Sequence, residues 1–494
     1  MGSRAAAVVA AAPRVVCGRC FSSGPPDPTG VAAAARLARI LSENAKPVRV
    51  KTSDIRVLRT PSEFHECLAS GISSARDKVV VSTLYIGQTT EKERGLVELL
   101  AAAKRRGTRV SLLLDALRAR RSEGSKTIAK TLASSLLEPG GGEPPQVSLY
   151  HTPRLKGLLK SVVKPPYSEI MGVCHMKVYV FDDAVLMSGA NLNERYFTNR
   201  QDRYVSFKSA ELASRVCDII DAVGKHSYQL DRSGGLEAPP SGFDPVSSPK
   251  AFSENLQMDL AKALEPVGDR KTDALDGLGD HALVFPLVQL GCINYRQDEK
   301  VMLSFLDALR SMGSAQGVPG TQNIVMSSGY LNVTKKLEKA LLQADSSVQF
   351  VTASPRANGF YKSSNSSKAL IPFVYQNLTN DLVRRMKASS GREINLHEYE
   401  RPDWQYHAKG LWYFPTSGSN PVATFIGSPN YGYRSAEKDL EMQFAVVSAC
   451  QDLGERLKGE AEALLEHSIQ KSSLDDSEAR LFVSLSSKLC RKWL

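Results

Sequence analysis

The sequence predicts an α/β protein made of two similar halves that share one site. Two observations carry that prediction. The order strand, helix, strand, further strand occurs once in each half of the 494 residues, which implies a parallel or mixed sheet covered by helices. A short polar set also recurs at matched spacing. His175-Met176-Lys177 and His407-Ala408-Lys409 are each followed by a small-residue turn ending in Asn, Ser188 to Asn191 and Gly427 to Asn430. An acid lies eleven residues beyond each Asn, Asp202 in one copy and Glu441 in the other.

The elements follow in order. Val79 to Tyr85 is a β-branched run of buried-strand type, then a helical pattern runs from Lys92 to Arg106 and a second strand from Arg109 to Leu114. The second half repeats this with a strand over Asn323 to Tyr330, a helix over Thr334 to Ala344 and a strand over Val348 to Ala353. A further strand, Val147 to His151 or Ile394 to His397, precedes each His-x-Lys segment. His175 to Phe181 and His407 to Phe414 alternate, so each reads as a strand whose His and Lys, two apart, face the same way. The next short strands, Ala184 to Met187 and Ala423 to Ile426, end in the turns that return each Asn to that face. Between the halves, residues 231–284 are rich in Pro, Gly, Ser and Asp and read as a linker with one helix around Asn255 to Leu264. The predicted domains are therefore 50–230 and 285–450, with a C-terminal helix and tail over 451–494.

Length and an ordinary composition, 42% hydrophobic and 23% charged, suit a chain that buries two cores. A net charge of +11 fits either an anionic partner or a basic mitochondrial enzyme. Eight cysteines without a framework argue for a reducing compartment, and Cys17 and Cys20 form a lone CxxC with no second pair in range. Residues 1–30 read as a mitochondrial transit peptide, since the first 26 contain Arg4, Arg14 and Arg19 and no acid. No apolar run approaches the roughly 20 residues that span a bilayer, so any membrane association is expected to be peripheral.

The repeated set permits chemistry at phosphorus. Imidazole titrates near neutrality and is nucleophilic when neutral. With one His on each side of a phosphorus centre, one attacks while the other moves the proton. Lys177 and Lys409 then neutralise the non-bridging oxygens and Asn191 and Asn430 donate to them. Asp202 and Glu441 are placed to accept from the far ring nitrogen of each His. A lone strand His is ordinarily structural; four residue types recurring in one order argue for catalysis. Metal ligation is disfavoured because a Lys accompanies each His. The chemistry needs no metal or other cofactor, and a divalent cation enters, if at all, only in holding a diphosphate. The sequence carries no signal for an oligomeric state.

HMKVYVFD (175–182) and HAKGLWYF (407–414), with SGAN and GSPN, resemble the paired HKD motifs of the phospholipase D superfamily. HTPRLKGLL (151–159), YFTNRQDRYV (196–205) and GSPNYGYRS (427–435) resemble its mitochondrial CDP-diacylglycerol–glycerol-3-phosphate 3-phosphatidyltransferase branch. The resemblance runs from about residue 53 to 450. It implies two phospholipase D-like α/β/α sandwich domains in a pseudo-twofold unit with one shared active site. It implies that CDP-diacylglycerol gives its phosphatidyl group to a His, CMP leaves, and sn-glycerol 3-phosphate attacks, at the matrix face of the inner membrane. His175, Lys177, Asp182, His407 and Lys409 match the motif positions, but Phe414 stands where the second motif has its Asp. His175, in the complete copy, is the expected nucleophile and His407 the acid/base. The alternative is another superfamily enzyme: a phosphatidylserine or cardiolipin synthase, a lipid hydrolase or a mitochondrial nuclease. Aromatics do not interleave with the basic clusters, so no nucleic-acid partner is expected.

Other segments supply candidate substrate contacts. Ser82 to Thr89 is a small-residue loop after the first strand, without the second Gly or the Lys of a Walker A loop, and offers Ser82, Tyr85 and Gly87 for a nucleotide. Arg200, Arg203, Arg434 and Lys438 flank the motifs and are candidates for the acceptor phosphate or the cytidylyl pyrophosphate. Arg154 to Val163 alternates cationic and apolar residues as an interfacial helix on anionic lipid would.

Overall fold

The computed structural model describes residues 27–123, 126–138, 142–157, 163, 167–265, 278–316, 322–363, 366–472, 474 and 491. Most of the segment read as a transit peptide, and half of the stretch Arg154 to Val163, lie outside the described residues.

Helix α1 (Pro28–Ser42), capped by the Asp27 carboxylate, leads to β1 (Val48–Lys51) and β2 (Ile55–Leu58). The first half continues with α2 (Pro61–Ser74), β3 (Lys78–Ser82), α3 (Glu91–Arg105), β4 (Arg109–Asp115) and β5 (Gln146–Tyr150). It closes with β6 (Val178–Phe181), β7 (Ala184–Ser188), β8 (Tyr204–Lys208), α4 (Ala210–Lys225) and β9 (Tyr228–Leu230). After α5 (Pro249–Leu264), the second half runs β10 (His281–Leu290), α6 (Gln297–Gln316), β11 (Asn323–Ser328), α7 (Lys335–Gln343) and β12 (Ser347–Ala353). It ends with α8 (Ile371–Ser390), β13 (Ile394–Tyr399), β14 (Lys409–Phe414), β15 (Ala423–Gly427), β16 (Glu441–Val447), α9 (Gln451–Glu466) and β17 (Ser468–Gln470).

The two large sheets repeat one topology. The first contains the order β5-β4-β3-β6-β7-β8 and the second β13-β12-β11-β14-β15-β16. In both, the first three strands are parallel and the rest antiparallel. Strand alternation then divides the side chains between faces. Val79 and Val81 join Leu112 and Leu114 under Phe64, Leu68, Leu96 and Leu100 of α2 and α3. Ile324 and Met326 join Phe350 under Phe305 and Leu309 of α6 and Leu37 and Leu41 of α1. The inner residues, Val80, Val178 and Val180 of one sheet and Val325, Trp412 and Phe444 of the other, belong to a single core that runs through both halves.

A buried ion pair locks that junction. The Arg203 guanidinium, from the first half, donates to both Glu460 oxygens of α9 at 2.9 and 2.7 Å and to the Phe425 carbonyl at 2.7 Å, and it stacks 3.7 Å from the Trp412 ring centroid. Gly410, with φ +152°, makes room for it, since a Cβ there would fall 1.9 Å from Arg203 Nη1. Removing one partner would strand a buried charge, at a cost of about 3–5 kcal/mol. Arg203 is thus a framework residue, not a substrate contact.

The domain limits differ from the expected ones. β1 pairs with β10 in the second sheet, so the chain contributes to the second half before it builds the first. β10 begins at His281, not 285, because HALVFPLVQL is one continuous buried run that the preceding Gly/Asp-rich stretch obscures. Within the expected linker, α5 carries Phe252, Leu256, Leu260 and Leu264 as a buried stripe of one residue per turn in the common core. Residues 451–470 are not an appendage: α9 buries Leu453, Leu457, Ala461 and Leu464 in that core, and β17 extends the second sheet beside β13.

Candidate active site

Each histidine stands just before its strand and is tied by its backbone to the opposite half. The His175 N–H donates to the Leu440 carbonyl at 2.8 Å, beside a parallel bridge between Cys174 and Leu440. The His407 N–H donates to the Gln201 carbonyl at 2.8 Å, at the end of a short parallel ladder of Arg200–Gln201 with Gln405–Tyr406. The residue after each acceptor is an acid, Glu441 after Leu440 and Asp202 after Gln201. The side chains therefore cross as well: His175 Nδ1 meets Glu441 Oε2 at 2.8 Å and His407 Nδ1 meets Asp202 Oδ2 at 2.6 Å. A carboxylate on Nδ1 holds the proton there and leaves Nε2 for chemistry.

The lysines lie buried beside the rings. Lys177 Nζ donates to the His175 carbonyl at 2.7 Å, and Lys409 Nζ donates to the His407 carbonyl at 2.5 Å and stands 2.8 Å from His407 Nδ1. Burial pulls Lys177 down to about 7, against the attraction of Glu441, and Lys409 to about 8, against that of Asp202. These are amines poised to take up a proton when an anion enters.

The two pairs are not equivalent. Glu441 accepts from the Ser435 hydroxyl at 2.6 Å and from the Ser428 hydroxyl at 2.5 Å. Burial would raise its carboxyl, but the charge and hydrogen bond of His175, then Lys177 and Ser428, hold it below the usual range. Asp202 accepts the Arg203 N–H at 2.8 Å, and burial lifts it to about 6 despite Lys409. Burial lowers both imidazoles. It acts with Lys177 on His175, where Glu441 opposes it, and with Lys409, Arg200 and Lys177 on His407, which falls well below the usual histidine range. His407 Nε2 lies 3.2 Å from the Tyr196 hydroxyl, which also accepts from Asn191 Nδ2 at 3.2 Å. His175 Nε2 has no hydrogen-bond partner among the described residues.

Both rings line one cavity of about 160 Å³, with Asn430, Arg434, Glu169, Asp439, Phe360, Tyr330 and Tyr375 among its walls. The structure thus brings His175, His407, Lys177, Lys409, Asp202, Glu441, Asn191 and Asn430 to one centre. Asp182, expected among the catalytic groups, does not line that cavity. Its carboxylate, in a residue with φ +51°, accepts the backbone N–H groups of Arg76, Asp77 and Lys78 at 2.9 Å each, closing the entry to β3. In the second half Phe414 takes the corresponding place opposite Asn323 and packs into the common core, so that copy needs no cap.

The candidate substrate residues divide. Ser82 is wholly buried at the end of β3, and a Cβ on Gly87 would strike the Glu93 carboxylate at 2.4–2.7 Å; Glu93 is itself the capping-box acid of α3. These two positions shape the loop and do not line the cavity. Tyr85 lies under the Arg118 guanidinium, 4.4 Å from the ring centroid. Arg200 stacks 4.6 Å from the Tyr196 ring and donates to Gln405 Oε1 at 2.7 Å, while Arg434 reaches the cavity wall. Tyr196, Tyr330, Ser428 and Ser435 escape sequence reasoning, although Ser428 and Ser435 stand inside GSPNYGYRS; nothing in their spacing marks the contact with an acid.

Residues 68–223 match the family described as cardiolipin synthase, PLD-like domain. A probable CDP-diacylglycerol–glycerol-3-phosphate 3-phosphatidyltransferase of Dictyostelium discoideum is 32% identical over 85% of this chain and 74% of its own length. The mitochondrial proteins of that name from Mus musculus and Homo sapiens are 34% and 33% identical over 84% of this chain and 78% of their own length. The solved phosphatidylserine synthase of Haemophilus influenzae Rd KW20 covers 93% of this chain and 100% of its own with a TM-score of 0.70; at 19% identity this is likeness of fold. A duplicated two-sheet fold with its histidines at the junction, and relatives of one name along most of its length, make the chain a member of the CDP-diacylglycerol–glycerol-3-phosphate 3-phosphatidyltransferase family, on a phospholipase D-like fold.

Proposed function

We propose that this protein is a phosphatidyltransferase that makes phosphatidylglycerophosphate and CMP from CDP-diacylglycerol and sn-glycerol 3-phosphate. The observation that carries the reading is the crossed pair of His–carboxylate contacts opening on one cavity, in a chain whose relatives bear that enzyme's name. His175 Nε2, free of partners among the described residues, attacks the phosphatidyl phosphorus; the phosphorus–oxygen bond to CMP breaks and CMP leaves with the electron pair. The acceptor hydroxyl then gives its proton to His407 and attacks the same phosphorus, and the phosphorus–nitrogen bond breaks to restore His175. Lys177 and Lys409 balance the charge on the non-bridging oxygens in both steps. The Asn430 side chain joins them from the cavity wall.

The location follows from the relatives, several of which are named mitochondrial. Among the described residues no helix is long and apolar enough to cross a membrane. Two exposed large apolar side chains, Tyr167 and Leu370, flank segments that supply cavity walls, Glu169 and Tyr375. This supports peripheral docking with the cavity mouth on the lipid that carries the donor, at the matrix face of the inner membrane. The test is direct: purified protein with CDP-diacylglycerol and glycerol 3-phosphate yields phosphatidylglycerophosphate, and serine, phosphatidylglycerol or water in place of the acceptor yields little. Absence of product with glycerol 3-phosphate would overturn the reading.

A further inference from the structure

Around one wall of the cavity, at Glu169 and Arg434, cationic side chains gather that the proposed chemistry does not use. Arg118 and Arg121 both close on Glu169, at 3.3 Å to Oε2 and 2.6 Å to Oε1. Arg434 Nη2 donates to the Glu169 carbonyl at 3.2 Å and to Asp439 Oδ1 at 3.1 Å, while its Nε is buried with no hydrogen-bond partner among the described residues. Lys438 stands close enough that burial, then the repulsion of Arg434 and Arg154, draws it down to about 8. Three arginines and a lysine thus face two carboxylates, Glu169 and Asp439, and both carboxylates line the cavity with His175 and His407.

The arginine pair is held near the chemistry. Buried Asp115 caps the turn that carries Arg118, accepting the Leu117 and Arg118 N–H groups at 3.0 and 2.9 Å, and its other oxygen accepts the N–H of Cys174, the residue before His175, at 2.9 Å. Glu169 keeps 15% of its side-chain surface exposed and its partners 23% and 28%. Ion pairs that open to solvent contribute little to stability, so folding alone does not call for two guanidiniums on one carboxylate here. Two guanidiniums converging on the two oxygens of one carboxylate, Arg118 by a hydrogen bond and Arg121 as an ion pair, supply the donors that recognise phosphate.

We propose that the Glu169 carboxylate is a displaceable stand-in for a phosphate, and that Arg118, Arg121 and Arg434 form the subsite for the phosphate monoester of the acceptor. The proposal rests on the phosphorylated acceptor of the function above and deepens it. An acceptor without a phosphate leaves Glu169 in place and the arginines satisfied. A phosphorylated one brings about two charges to exchange for one and frees the cavity. The same chemistry would suit the diphosphate of the donor, and the kinetics separate the two.

The experiment measures kcat/KM for glycerol 3-phosphate and for glycerol with CDP-diacylglycerol as donor, in the wild type, Arg121→Gln, Arg118→Gln and Glu169→Gln. Loss of a charge-assisted contact should lower the ratio of the two kcat/KM values by about 10- to 100-fold in each arginine variant; general damage would move both acceptors together. Glu169→Gln should act with the opposite sign on the acceptor, lowering KM for glycerol 3-phosphate several-fold and raising hydrolysis by water, a gain that misfolding does not produce. An unchanged ratio in the arginine variants of an enzyme that makes phosphatidylglycerophosphate overturns this subsite alone. A rise in KM for CDP-diacylglycerol with the acceptor ratio intact also overturns it and assigns the cluster to the donor. A wild type that makes no phosphatidylglycerophosphate overturns the function and the subsite together.

Discussion

His175 and His407 occupy halves whose sheets correspond strand for strand, yet their Nε2 atoms meet different neighbours. The His407 atom is engaged by Tyr196 and crowded by Lys409, at 3.2 and 3.3 Å, whereas the His175 atom looks into the cavity. Their carboxylates differ in the same sense: Glu441 is held ionised by His175 and two hydroxyls, and Asp202 is raised to about 6 by burial. The two halves present the same pair of reagents in different surroundings. In the proposed mechanism this separates a nucleophile with a firmly charged partner from a base whose partner titrates near neutrality.

The sharpest way to break this comparison is to remove one ring at a time. His175→Ala should lose about 10⁴-fold or more in kcat, as loss of a nucleophile does. His407→Ala should be as slow overall but should accumulate a phosphatidyl adduct that peptide mapping places on His175. An adduct on His407 in His175→Ala would reverse the roles. Next come the carboxylates: Glu441→Gln and Asp202→Asn should each cost roughly 10²–10⁴-fold in kcat by releasing the Nδ1 proton.

The pH profile separates the halves further. In the free enzyme, falling pH protonates Asp202 through about 6, and rising pH discharges Lys177 through about 7. The dependence of kcat/KM should therefore be a narrow bell with its maximum between those values, its limbs belonging to the coupled cluster rather than to single groups. Asp202→Asn should abolish the acid limb in the activity that remains. A flat profile from about pH 5 to 9 would remove the titrating partner from the mechanism.

The smallest effect concerns Asp182 and Phe414. Asp182→Ala should cost about 1–2 kcal/mol of stability, as loss of a capping carboxylate does, with kcat nearly unchanged. Its carboxyl is depressed in the fold by the three N–H groups, which outweigh burial. Its contribution is therefore present above the unfolded value near 4 and fades as pH falls through the lower folded value. Restoring the motif with Phe414→Asp should destabilise, because the side chain is 8% exposed within the core. Thermal unfolding and activity on the same samples check both.

Much of the fold is legible because strand and helix periods are written locally: the expected strand Arg109 to Leu114 is β4 (Arg109–Asp115), and Val348 to Ala353 is β12 (Ser347–Ala353). The His, Lys, Asn and acid repeat likewise names the central groups before any coordinates. What local patterns omit is non-local. The crossing of each acid to the opposite His depends on backbone bonds between residues about 200–270 apart. The departure of β1 to the second sheet and the seat of α9 in the shared core are set by long-range packing in the same way. Asp182 misleads because a motif position records recurrence without saying whether chemistry or a turn requires it. Glu169 and Tyr196 carry no repeat at all.

The crossed contacts have a consequence for how activity arises at all. Each imidazole is oriented by an acid that the other half delivers, so neither half on its own contains a complete His–carboxylate pair. A chain interrupted within residues 231–280 would yield two fragments that each hold a histidine without its counterpart carboxylate. On the proposed mechanism, reactivity toward phosphorus should switch on only when the halves dock, with each fragment alone inactive toward CDP-diacylglycerol. Mixing separately produced fragments should restore turnover in step with their association, which makes catalysis itself a readout of assembly.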